Sequence, residues 1–84
     1  MAKDYVEEGI NTEYMGEMMR RSTKLDSEQY ALMALICKKC TNPPTAQQMD
    51  QFVALVEQTQ ALMPGGTIRS RQALVILAMQ VGMS

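Results

Sequence analysis

The residues whose types and spacing best suit chemistry are Cys37 and Cys40, separated by Lys38 and Lys39. Two thiols so spaced match half a zinc site or a dithiol redox centre. The rest of the chain completes neither. A tetrahedral zinc takes about four ligands, and with no histidine and no third cysteine a closed site needs carboxylates or a second chain. A redox dithiol gains reactivity at the start of a helix, where the dipole lowers the thiol pKa. Here the pair follows the apolar run from Tyr30 to Cys37 and closes a helix instead. Cys37 is therefore expected to pack as a small hydrophobe, Cys40 to sit at a boundary, and the lysines to complement the negative helix end. No metal and no cofactor is expected.

Enzyme chemistry has little else to draw on. Histidine is absent, and Pro64-Gly65-Gly66 lacks the lysine that a phosphate loop needs next. Acidic pairs such as Glu7 and Glu8 fall outside any expected helix, where nothing holds a catalytic geometry. A non-enzymatic protein is the expectation.

Two other groups of residues suit recognition. Met15, Met18 and Met19 fall on one side of a short helix, and Leu74, Leu77 and Val81 form a stripe on the last one. Flexible, polarizable methionine, of which the chain has nine, adapts well to a partner's contours. One stripe or the other is expected to contact a protein partner, with packing inside the chain as the alternative for the methionines, the mechanism being occlusion of a larger protein's surface by a small adaptor, chaperone-like partner or inhibitor. Arg20, Arg21 and Lys24, with Arg69 and Arg71, are candidate phosphate contacts. They support a second reading, a small dimeric DNA-associated transcriptional regulator. Eight basic against nine acidic residues lack the basic excess such binding usually shows, so this reading ranks lower. The tail from Leu77 to Ser84 resembles the first helix and turn of a helix-turn-helix. Read on its own chemistry, it is a helix capped by Gly82.

The elements that must position these residues are all helical. Asn11 or Thr12 caps a first helix over about 13–21. Asp26 with Gln29 has capping-box spacing ahead of a second over about 27–40, apolar around most of its circumference and so expected to be the central element. Asn42-Pro43-Pro44 breaks the chain. Thr45 with Gln48 repeats the capping box before a third helix over about 46–63, whose inner face runs Met49, Phe52, Val53, Val56, Gln60 and Met63, with Gln60 out of character. After Pro64-Gly65-Gly66, Thr67 or Ser70 caps a fourth over about 68–81. The expected fold is all-α, one domain over 1–84 with residues 1–11 flexible, a small bundle of three to four short helices.

A chain of 84 residues buries only about 60 to 65% of the surface its unfolded form exposes. With 46% apolar residues and two helices apolar on all sides, a homodimer is expected to hide the excess. No run reaches the roughly 18 apolar residues of a membrane span, and the amino terminus lacks a signal-peptide apolar region. Cytoplasmic location is the resulting expectation, with both thiols reduced.

Overall fold

The computed structural model of the chain describes residues 12–84; the expected flexible segment 1–11, with Glu7 and Glu8, lies outside them. The described residues form four helices and no strand: α1 Thr12–Arg21, α2 Ser27–Lys39, α3 Ala46–Ala61 and α4 Arg71–Gln80. α1 and α4 each pack against both α2 and α3. Every residue of α2 from Gln29 to Cys37 is buried, which makes it the central element its composition implied.

Both capping boxes form. The Asp26 carboxylate accepts from Gln29 N at 3.0 Å while the Gln29 amide oxygen accepts from Asp26 N at 3.1 Å. Thr45 and Gln48 repeat the exchange, each bond at 3.0 Å. These pairings satisfy backbone donors that have no partner inside a helix. Gln48 also donates to the Gly82 carbonyl at 3.1 Å, tying the end of α4 to the start of α3.

Helix ends fall where backbone chemistry places them. α3 stops at Ala61, short of the expected 63, because Pro64 excludes helical geometry from the residue before it. Leu62 is left 84% exposed in the turn. α4 begins at Arg71 rather than 68 because Ile68 is drawn into the core by side chains: its N–H donates to the Gln60 amide oxygen at 3.0 Å, and its carbonyl accepts from Gln29 at 3.1 Å. Ser70, one of the two expected caps, accepts from Ala73 N at 3.2 Å and starts the helix. Gly82, at φ +84, closes α4 in a Schellman motif, with Met83 N donating to Ala78 O at 3.1 Å and Gly82 N to Met79 O at 3.0 Å. Met83 is thereby turned inward and buried.

Polar groups fix the remaining joints. The Tyr30 hydroxyl donates to the Ser22 carbonyl at 2.6 Å and accepts from Leu25 N at 3.3 Å, pinning the α1–α2 turn. The Ser22 hydroxyl donates to Glu57 on α3. Arg21 ties α1 to α3 a second time, its guanidinium reaching Glu17 at 2.6 Å and Asp50 at 2.7 Å.

Candidate functional site

The last helix exposes an apolar face that no described element covers. α4 carries one apolar stripe inward, where Leu74, Leu77 and Ala78 are buried and Ala73 and Val81 pack on the core. Its opposite stripe faces solvent, with Val75 exposed, Ile76 at 55% and Met79 at 66%. Val75 and Met79 stand four apart and Ile76 and Met79 three apart, so the three share one face. Single exposed apolar residues are normal; three on one helix face form a patch that calls for an explanation.

Beside this face, the carboxyl end of α2 and the length of α4 enclose an open cleft of about 230 Å³. Its walls are Ile36, Val75, Ala78, Met79 and Met83, and Lys39 and Arg71 stand among its lining groups. Small-molecule sites run to about 300–1,000 Å³ and enclose most of their ligand. This shallower space suits a side chain presented by another surface. The Ser84 carbonyl at one end is already engaged, accepting from Thr41 N at 2.7 Å and Asn42 N at 3.4 Å.

The structure places the stripe expected to meet a partner on the inward side of α4. Leu74 is fully buried, Leu77 is buried and Val81 is half-buried as the residue capping α4, so all three face the core. The methionine group divides in the same way. Met18 is 0% exposed and belongs to the core, Met15 is half-buried against it, and Met19 stands 51% exposed. Met33 and Met49 are buried, whereas Met79 is exposed. Sequence reasoning missed Val75 and Ile76. A usable signal was present in the two alanines, Ala73 and Ala78, since small side chains let a helix approach its neighbours closely and so mark the inward side.

The candidate phosphate contacts do not gather on one free surface. Arg20 pairs with Glu17 at 2.5 Å, and Arg21 bridges Glu17 and Asp50. Arg69 pairs with Asp26 and Glu28, each at 2.6 Å. The two arginines hold the Glu17 carboxyl below its ordinary range. The Gln29 N–H, and after it Arg69, do the same for Asp26. Lys24 is exposed, and Arg71 is exposed at the start of α4 with no ion pair among the described residues.

Cys37 and Cys40 close α2, as their position implied. Both are free thiols. Cys37 is buried, and that burial, with Cys40 nearby as a lesser cause, pushes its pKa up to about 12. Cys40 is half-buried at the cleft, its thiol donating to Ile36 O at 3.3 Å, and burial raises its pKa too. A thiol kept protonated is a poor nucleophile and a poor metal ligand. Among the described residues no three His, Cys, Asp or Glu side chains are placed to hold a metal ion. No helix among them is long and apolar enough to cross a membrane.

No protein-family model, curated protein or solved structure matches this chain. Any functional reading rests on the chemistry of its own surface.

Proposed function

We propose that this chain is a non-enzymatic protein-binding module that docks through the outward face of α4 and acts by covering a surface of a larger protein. The observation that carries the reading is the stripe of Val75, Ile76 and Met79, left in solvent beside an apolar cleft while the helix's other face is fully used in the core. Apolar surface gains free energy when removed from water, and a rigid helix presents it without loop ordering, which lowers the cost of association. The capping box of Thr45 and Gln48, the Gln29–Gln60–Ile68 bonds and the Schellman closure at Gly82 hold α4 at both ends. The face is thus a preorganised ridge. The reading places the chain in the cytoplasm, where both thiols stay reduced.

The test is capture from native lysate, with and without nuclease, using the wild-type chain and an Ile76→Asp, Met79→Asp variant of unchanged circular dichroism and Tm. The expected result is a set of proteins, insensitive to nuclease, that the variant fails to retain. Capture of the same proteins by both forms would sink the assignment of this face. Partners that vanish with nuclease would point to nucleic acid instead.

A further inference from the structure

Resting on that reading, we propose that the α2–α4 cleft takes an amphipathic helix of another protein whose apolar ridge is flanked by carboxylates. The apolar part of the cleft is the floor formed by Ile36, Ala78 and Met83 and the exposed wall of Val75 and Met79, which suit one or two aliphatic side chains from a helix laid along α4. Helix-in-groove recognition works through such anchors at three- and four-residue spacing. The charged part is the rim. Arg71 and Lys39 are both cationic, and no acidic side chain lines the cleft. Arg71 sits in the first turn of α4, where the helix end is itself positive, so its charge adds to that of the dipole. A carboxylate on the incoming helix meets Arg71.

The same bookkeeping of charge argues against residues 12–84 of a second copy as the occupant. Among the described residues every carboxylate is already engaged. Glu17 is held by Arg20 and Arg21, Asp50 by Arg21, and Asp26 and Glu28 by Arg69. Glu57 accepts from Ser22, and Glu13 also has a partner. Another copy of these residues brings an acid to Arg71 only by sharing or breaking a contact that the acid already makes. A different protein supplies it at no such cost.

The test uses the full chain and a phage-displayed library of amphipathic helices. Leucine is fixed along one face, and the flanking positions carry Glu, Lys or Gln in equal proportion. Selection on the wild-type chain is expected to enrich Glu at the flanks, and selection on Arg71→Glu to enrich Lys. Arg71 is exposed and unpaired among the described residues, and Glu is favourable in the first turn of a helix, so this variant keeps its fold. In fluorescence anisotropy the best Glu-flanked peptide should weaken about five- to tenfold on Arg71→Glu, with the difference shrinking as salt rises. It should lose measurable binding to Met79→Glu. Equal enrichment of Glu and Lys, no selected helix at all, or binding indifferent to Met79→Glu each overturn the proposal. So does sedimentation of the free chain as a dimer that Met79→Glu dissociates. Equal enrichment, or an empty selection beside lysate capture that still depends on Ile76 and Met79, overturns the acidic partner alone and leaves the docking face standing.

Discussion

Replacing Gln29 with leucine keeps the approximate volume of the side chain and removes an amide that serves three partners. Gln29 is 1% exposed, yet its Nε2 donates to Gln60 Oε1 at 2.5 Å and to the Ile68 carbonyl at 3.1 Å, and its Oε1 accepts from Asp26 N at 3.1 Å. The three losses are unequal. Gln60 Oε1 keeps the Ile68 N–H, and the Asp26 N–H is only part-buried, so water reaches it. The Ile68 carbonyl is left buried and unsatisfied, at about 1–3 kcal/mol, and each of the other two bonds contributes about 0.5–1.5 kcal/mol. Apolar burial of the new leucine offsets about 1 kcal/mol. At the middle of these ranges the net loss is about 3 kcal/mol, a large part of the roughly 4–13 kcal/mol that a chain this size commands, and corresponds to a Tm drop of about 12–24 °C. Thermal and urea unfolding followed by circular dichroism measure it, with Gln58→Leu on the exposed side of α3 as the control expected within about 0.5 kcal/mol of wild type. If Gln29→Leu unfolds together with that control, the view that this amide fixes the α3–α4 connection, and with it the docking face, is wrong.

Four further outcomes follow from the same geometry. Maleimide should label Cys40 in the native protein and reach Cys37 only after unfolding, as mass spectrometry of the labelled peptides will report. The pKa of Cys37 is raised from its ordinary 9.0 to about 12 in the folded state, so the stability it contributes is fully present below about pH 9 and is lost as pH rises toward 12. The slope is about 1.4 kcal/mol per pH unit, and Cys37→Ala should remove that share of the alkaline destabilisation. Met18→Ala should cost about 2–5 kcal/mol through the cavity it opens, whereas Met19→Ala one position away should stay within about 0.5 kcal/mol; equal effects on urea midpoints would mean α1 is not docked as described. Gly82→Ala, at φ +84 with its new Cβ 3.3 Å from Gln48 Nε2, should cost about 1–2 kcal/mol in the same assay.

Much of this architecture was legible because local chemistry dictates it. Asp26 with Gln29 and Thr45 with Gln48 are boundary signals written within four residues, and Gly82 marks the end of α4 without reference to the rest of the fold. Gln60, which broke an otherwise apolar face of α3, was a cue of a different kind. It is the acceptor that receives Ile68 N and Gln29 Nε2, so the misfit in the pattern marked the place where a loop crosses the core. What could not be read was rotation. A helix that is apolar on all sides has no phase, and choosing Leu74, Leu77 and Val81 over Val75, Ile76 and Met79 as the outward stripe required knowing where α2 and α3 lie. Met18 and Met19 stand one position apart at the edge of the single apolar face of α1, and only Met18 turns inward. The long-range half of the arginine pairing was equally hidden: Glu17 lies within a turn of Arg20 and Arg21, but Asp50 lies 29 positions from Arg21 and Asp26 lies 43 from Arg69.

The energetics of the outward face constrain how it could be used. Burying Ile76 and Met79 on association yields about 1.5–3 kcal/mol each, roughly 3–6 kcal/mol together, while losing free translation and rotation costs about 4–15 kcal/mol. The two side chains alone do not hold a partner. A stable interface removes about 800 Å² from each side, so a partner anchored on this ridge must also fill the cleft against Ile36 and Met83 and reach the rim at Arg71. Hydrophobic anchors inside a charged rim divide the work: the anchors set how long the complex lasts, and the rim charge sets how fast and in which register it forms. Arg71→Glu should therefore act mainly on the association rate and its salt dependence. Ile76→Asp, which forces a carboxylate into the dry centre of the contact, should act on dissociation.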